Sequence, residues 1–132
     1  MRLLLIGFVI SGCLCAQNSV WDGVYSSAQA TAGEKGYAQN CASCHGEKLD
    51  GKGPMPPLLG KDFLSNWNGM TLGDLFDKIQ TSMPADKPGQ LKEAQNAEIL
   101  SYILKVNGFP AGAKSIAPSG DALKGIRIEE KK

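Results

Sequence analysis

Cys41-Ala42-Ser43-Cys44-His45 is the stretch on which the rest of the chain depends. Two thiols three residues apart, followed at once by a histidine, have the spacing for covalent attachment of a c-type haem. One helical turn places both sulfurs along one edge of a porphyrin, where each can add to one vinyl group. His45 follows directly and can place its imidazole beneath the iron as the proximal axial ligand. The motif therefore predicts one covalently bound haem c, with an iron centre, held by Cys41, Cys44 and His45.

Other uses of the motif agree less well with the composition. The chain has four cysteines and one histidine, and Cys13 and Cys15 lie in an apolar leader. Tetrahedral zinc needs four ligands, and the exported chain would offer only three adjacent ones. A thioredoxin-like pair requires a βαβ pattern, which the sequence does not show. A structural disulfide between Cys41 and Cys44 in an oxidising compartment remains an alternative.

Length and composition indicate one soluble domain. The chain has 132 residues, of which 42% are hydrophobic and 20% charged. Its 16 glycines and 7 prolines favour short helices joined by long loops, which suits a fold wrapped around a large cofactor. Without Arg2, 13 of the 14 basic residues remain against 13 acidic ones. This balance gives no reason to expect a nucleic-acid partner.

The N-terminus predicts export. A positive start is followed by an apolar run over residues 3–10, which is shorter than the roughly 20 residues that a membrane span needs. We favour a signal peptide over residues 1–16, cleaved after Ala16. A lipobox ending at Cys13 is the alternative, and only lipidation of Cys13 would anchor the protein to a membrane. Either site predicts a periplasmic location.

Hydrophobic periodicity predicts helices and no strands. Three helices are expected, over about Thr31 to Cys44, 72–80 and 92–106. Thr71 and Asp74 form a capping pair at the second helix, whereas Lys92 is a poor cap for the third.

The remaining segments are expected to be irregular. Glycines and prolines make residues 46–60 a loop. Residues 17–30 are expected to be a loosely packed polar extension. The residues after 112 form a C-terminal tail, 113–132, which lies extended across the domain or trails from it.

The long loop predicts how the proximal histidine is held. One of its carbonyls should accept the Nδ1–H of His45, which fixes the ring and raises its basicity as a ligand. Pro54, Pro56 and Pro57 are the candidates to present that carbonyl.

The second axial ligand must come from another residue type, because the chain has a single histidine. We favour Met83, which lies 38 residues after His45 in a Met-Pro turn behind a predicted helix and can return to the opposite haem face. Met70, Met55, a lysine and an open site are the alternatives. An iron ligated by His45 and Met83 has no vacant position, which is typical of an electron carrier and not of an enzyme.

Over residues 31–112 the chain resembles the class I mono-haem cytochromes c. The haem motif is joined by the following features: Gly33 and Tyr37, Pro56-Pro57-Leu58-Leu59-Gly60, Met83-Pro84, and Ile99 and Tyr102. The resemblance implies an all-α fold of about three to five short helices around one haem. It also implies that a terminal helix bearing Ile99 and Tyr102 crosses the first helix at Gly33 and Tyr37, and that Pro56 supplies the carbonyl for His45.

A narrower resemblance is to the cytochrome domains associated with periplasmic quinoprotein (PQQ) dehydrogenases. It rests on Trp67-Asn68-Gly69, Leu72-Gly73-Asp74-Leu75-Phe76 and Asn107-Gly108-Phe109-Pro110-Ala111-Gly112. It implies a dehydrogenase as electron donor, an oxidase or another cytochrome as acceptor, and a haem-binding position for Trp67 near a propionate. Plain core packing is the alternative for Trp67.

Three functions are compatible with these features. The first is a single-electron carrier whose exposed haem edge is flanked by Lys48 and Lys52 as docking charges. The second is a small haem enzyme or gas sensor with an open or labile sixth position, although the chain offers no distal histidine as acid or base. The third is a lipid-anchored surface protein whose haem is incidental.

Overall fold

The computed structural model describes residues 18–131, so the leader and both candidate processing sites lie outside the described part. Six α-helices follow a short 3₁₀ turn at Val20–Asp22 within this range. They are α1 (Ser27–Asn40), α2 (Ala42–His45), α3 (Gly60–Trp67), α4 (Leu72–Ser82), α5 (Glu93–Val106) and α6 (Gly120–Leu123). The only β pairing in residues 18–131 is three isolated bridges. The predicted all-α fold is confirmed. None of the helices in this range is long and apolar enough to span a bilayer.

Helices α1 and α5 form the central contact of the fold. At Gly33 the backbones meet so closely that a β-carbon would overlap the carbonyl oxygen of Glu98. One turn further along, the rings of Tyr37 and Tyr102 lie 5.5 Å apart, and Ile99 is buried with 1% of its surface exposed. The predicted crossing of the first and last long helices is therefore confirmed. It positions the haem-binding turn, because α2 follows α1 directly.

The first helix begins earlier and ends earlier than predicted. Ser26 caps it by accepting a hydrogen bond from the Gln29 amide at 3.2 Å, so the helix begins at Ser27 and not near Thr31. Cys41 leaves helical geometry, with φ −127°, and α2 is a separate turn. The first half of α1 contains mostly small residues, so it has little hydrophobic periodicity to mark its start.

The predictions for α4 and α5 are confirmed. Thr71 accepts from the Asp74 amide at 3.1 Å and Asp74 accepts from the Thr71 amide at 2.9 Å, which makes the predicted capping pair at α4. The start of α5 lacks a capping side chain at Lys92, as expected. Gln95 compensates by accepting from the Lys92 amide at 3.0 Å.

One helix lies in a region for which no helix was expected. Helix α3 is eight residues long and buries a single side chain, Phe63. Its first residue, Gly60, donates its amide to the Asn107 side chain at 2.8 Å, which ties α3 to the end of α5.

The prediction of a loose N-terminal extension is wrong. Val20 is fully buried, Tyr25 is 2% exposed, and the Tyr25 hydroxyl donates to the Phe109 carbonyl at 2.7 Å. The two aromatic residues of this segment, Trp21 and Tyr25, both pack against the core. They gain burial that a polar composition does not suggest.

The C-terminal tail packs across the rest of the domain, which is one of the two arrangements that the sequence predicts. Ile126 and Ile128 are buried, and the Ile128 amide donates to the Met70 carbonyl at 2.9 Å. On the other side, the Val20 amide donates to the Arg127 carbonyl at 2.9 Å, so the tail also pairs with the N-terminal segment. The short helix α6 in this tail was not predicted.

Replacing Gly33 with alanine should destabilise the domain by roughly 1–3 kcal/mol or more, because the new methyl group must displace the backbone of α5. Gly36→Ala is the matched control on the same helix, since its β-carbon would meet only the Ile99 side chain. Urea unfolding of the haem-loaded proteins measures both values. Equal losses in the two variants would contradict a backbone contact at Gly33.

Candidate haem site

The two cysteines of the motif lie on one turn at the junction of α1 and α2. Cys41 is half-buried and Cys44 exposed, and both are free thiols. The Cys41 amide donates to the Tyr37 carbonyl at 2.8 Å, and the His45 amide donates to the Cys41 carbonyl at 2.9 Å. Although Cys41 itself interrupts α1, the second bond closes a turn from Cys41 to His45, so the two thiols stand one turn apart.

His45 is oriented by the backbone of the following loop. Its Nδ1 lies 2.9 Å from the carbonyl oxygen of Pro56, and the residue is 8% exposed. A carbonyl oxygen only accepts, so Nδ1 must carry the hydrogen and donate it. The lone pair is then on Nε2, the atom that a neutral imidazole offers to a metal. Of the three candidate prolines, Pro56 is the one that makes this contact.

The loop that presents the Pro56 carbonyl is held from both ends. The Tyr37 hydroxyl donates to the Gly46 carbonyl at 2.7 Å, and the Gly51 amide donates to the His45 carbonyl at 2.8 Å. Further on, the Leu58 amide donates to the Leu49 carbonyl at 2.8 Å. The loop therefore has a defined path, although its composition forbids regular structure.

A residue whose role the sequence did not reveal, Asn107, also supports this loop. Asn107 lies just beyond α5 and donates its amide nitrogen to the Leu58 carbonyl at 2.9 Å. In the sequence, Asn107 is notable only within the stretch that carries the narrower resemblance. Its side chain joins the histidine-holding loop to α5, the helix that crosses α1.

Burial changes the acidity of one thiol. It raises the pKa of Cys41 to about 11, and the neighbouring Cys44 adds a smaller effect in the same direction. At neutral pH the Cys41 sulfur therefore stays a thiol. Its surroundings are apolar, which suits a sulfur that ends as an uncharged thioether.

The methionines differ in their surroundings. Met83 ends α4, where its amide donates to the Ile79 carbonyl at 3.1 Å, and its side chain is half-buried against the core. Met55 and Met70 are 38% and 42% exposed. Of the three, Met83 alone combines a place at a helix end with packing against the core.

The other predicted site residues, Trp67, Lys48 and Lys52, differ in their exposure. Trp67 ends α3 and is half-buried against the core. Lys48 and Lys52 are exposed in the loop that follows the haem motif, as docking charges would need to be.

The residues present fit a covalently bound haem. Cys41 and Cys44 offer two free thiols one turn apart. His45 has an available Nε2 lone pair, because its Nδ1–H is bonded to the Pro56 carbonyl. Met83 offers a thioether that packs against the core. Cys41 and Cys44 would hold the porphyrin, and His45 and Met83 would ligate its iron.

The helical fold and this donor set define a class I c-type cytochrome. More specifically, the chain belongs to the family described as cytochrome C oxidase, cbb3-type, subunit III, whose sequence model matches residues 28–103, more than half of the chain. Membership implies one covalently bound haem c with iron.

Two further similarities are to proteins named as dehydrogenases. The chain is 38% identical over 80 residues to the thiosulfate dehydrogenase of Stutzerimonas stutzeri (strain A1501), a match that covers 54% of this chain and 25% of that protein. The crystal structure of the sulfane dehydrogenase SoxCD from Paracoccus pantotrophus superposes with a TM-score of 0.59 at 22% identity. That match covers 81% of this chain and 61% of the other, and it shows the fold. The chain thus spans about a quarter of the curated relative's length.

Replacing Tyr37 with phenylalanine should cost about 1–3 kcal/mol of folding free energy, because the buried Gly46 carbonyl loses its donor. Tyr102→Phe is the control. It keeps the partner ring, and its hydroxyl makes no hydrogen bond with residues 18–131. Urea unfolding of the haem-loaded variants gives the comparison. A loss for Tyr102→Phe as large as that for Tyr37→Phe would show that the Gly46 bond contributes little.

Proposed function

We propose that this chain is an exported single-electron carrier. When bound, haem c supplies an iron that changes between Fe(III) and Fe(II) by one electron. The observation that carries the proposal is the contact of 2.9 Å between His45 Nδ1 and the Pro56 carbonyl. It sets the tautomer that an axial ligand requires, next to two free thiols.

The chain's own residues account for the properties of a carrier. Cys41 and Cys44 would tether the porphyrin by thioether bonds, so it stays in place through repeated turnover. His45 and Met83 would occupy both axial positions, which leaves no site for oxygen or peroxide. A neutral thioether ligand favours the ferrous state and raises the potential relative to two imidazoles.

Export is part of the proposal. The apolar run over residues 3–10 and the small residue Ala16 support a cleaved leader and a periplasmic location, with lipidation at Cys13 as the alternative. These residues lie outside the described part of the structure.

The electron donor is proposed to be a dehydrogenase, and the acceptor an oxidase or another cytochrome. The names of the two similar proteins, a thiosulfate dehydrogenase and a sulfane dehydrogenase, support a donor that oxidises a sulfur compound. A quinoprotein donor remains a prediction from the narrower sequence resemblance.

The similarity to a thiosulfate dehydrogenase favours a second candidate function, in which this domain takes part directly in oxidising a substrate. Such a role needs an open or labile sixth position at the iron. The two candidates therefore differ at Met83.

Visible spectra of the oxidised and reduced protein, with carbon monoxide added to the reduced form, test the ligand set. We expect a low-spin ferrous spectrum that carbon monoxide leaves unchanged, and a sulfur-to-iron band in the ferric form. Met83→Ala should lose that band and bind carbon monoxide, because the thioether no longer fills the sixth position.

Met70→Ala and Met55→Ala are the controls, since both side chains are exposed, and they should keep the wild-type spectrum. A wild-type protein that is high-spin and binds carbon monoxide readily would instead favour the enzyme or sensor.

Stopped-flow mixing of the oxidised protein with reduced dehydrogenases from the same cell tests the donor. We expect rapid reduction by a dehydrogenase for sulfur compounds, and a roughly tenfold slower rate at low salt for a Lys48→Glu/Lys52→Glu variant, since docking charges act mainly on association. Lys105→Glu, at an exposed position of α5, is the control. Rapid reduction by a quinoprotein dehydrogenase alone would assign the donor to that class. Equal rates for Lys48→Glu/Lys52→Glu and for Lys105→Glu would contradict a docking role of Lys48 and Lys52.

A further inference from the structure

Two amide side chains meet beside the segment that carries Met83. Gln80 lies on α4, three residues before Met83, and donates its Nε2 to the Leu91 carbonyl at 3.3 Å. Asn96, on α5, donates its Nδ2 to the Gln80 Oε1. Gln80 thus bridges the stretch after Met83 and the helix that follows that stretch.

The carbonyl of Leu91 determines the orientation of both amides. A carbonyl only accepts, so Gln80 must present its NH₂ group to Leu91 and its oxygen to Asn96. Asn96 must then present its own NH₂ group to Gln80. The network has one consistent arrangement, and in it the Asn96 Oδ1 faces away from Gln80.

The segment that this network closes has few other contacts. Residues 85–90 are exposed, and their backbone bonds are local turns, such as that of the Lys87 amide with the Pro84 carbonyl at 2.9 Å. At one end Met83 is bonded to α4, and at the other Leu91 is 7% exposed. Gln80 joins these two ends.

The hydrogen bonds between Gln80, Asn96 and Leu91 add little to the folding stability, because one buried polar atom has no partner in the described part of the chain. Asn96 is fully buried, and its Oδ1 accepts no hydrogen bond from residues 18–131. A buried acceptor without a donor is unfavourable, whereas an apolar pair of similar shape carries no such cost. The arrangement therefore indicates that the pair positions the neighbouring segment, and does not serve mainly to stabilise the fold.

We propose that Gln80 and Asn96 are positioning residues that hold the Met83 segment so that its thioether stays on the iron. This inference rests on the proposed function, in which Met83 is the axial ligand. The pair acts by closing the base of the segment 83–91, so its loss increases the fraction of molecules in which the sulfur has left the iron. An exogenous ligand then binds more tightly, because the Met83 sulfur with which it competes occupies the iron in a smaller fraction of molecules.

Imidazole binding to the ferric protein, followed through the sulfur-to-iron band, tests this proposal. The variants are Gln80→Met, and Gln80→Met combined with Asn96→Leu, which keep the side-chain shapes and remove the amides. We expect imidazole affinity to rise roughly tenfold in the double variant, while the urea midpoint of unfolding stays at or above that of the wild type.

Gln29→Met is the matched control. Gln29 is also half-buried and also bridges to backbone, donating to the Ile116 carbonyl at 3.1 Å and accepting from the Ile116 amide at 2.7 Å. It lies on α1 and holds the tail instead of the Met83 segment, so its loss should leave imidazole affinity unchanged. Should the double variant fail to fold, Gln80→Met alone decides, because Gln80 is only half-buried.

The outcomes separate the two proposals. Imidazole affinity within twofold of the wild type in Gln80→Met and in the double variant would overturn the positioning role and leave Met83 ligation intact. An equal rise in Gln29→Met, or a fall in the urea midpoint of the double variant that accounts for the effect, would overturn it as well. A wild-type protein without a sulfur-to-iron band would overturn the proposed ligand set, and the positioning role with it.

Discussion

The hydrogen bond from the Nδ1 of His45 to the carbonyl of Pro56 is the contact on which the site depends. It selects one tautomer of the only histidine in the chain and turns Nε2 into the available ligand atom. The carbonyl belongs to an irregular loop, so its position must be fixed by contacts from elsewhere. Tyr37 on α1 and Asn107 beyond α5 provide these contacts through the carbonyls of Gly46 and Leu58.

The crossing of α1 and α5 therefore has a second purpose besides forming a core. Gly33 lets the two helices meet at backbone distance, and Tyr37 and Asn107 then reach the same loop from different helices. Because the haem motif follows α1 without a break in the chain, one helix pair positions the thiols and the histidine. Met83, the proposed ligand for the other side, lies at the end of α4 and before an exposed segment.

Much of this arrangement could be predicted from residues that have few alternatives. The motif from Cys41 to His45 determines the cofactor, and the small residue at Gly33 with Ile99 and Tyr102 indicates which helices cross. Other features leave no local pattern. Helix α3 buries only Phe63, and the buried residues Val20 and Tyr25 stand in a polar segment. The bond between Gln80 and Asn96 joins residues on different helices, and polar pairs of this kind have no periodicity that would reveal them.

The N-terminal segment around Val20 and the C-terminal tail lie side by side. Near one end the Val20 amide bonds to the Arg127 carbonyl, and the indole of Trp21 donates to the Glu129 carbonyl at 2.9 Å. A domain whose ends are adjacent can be joined to another chain at either end, or inserted within one, with short linkers and without opening its core. This geometry allows the same fold to serve as a separate protein or as one segment of a longer one.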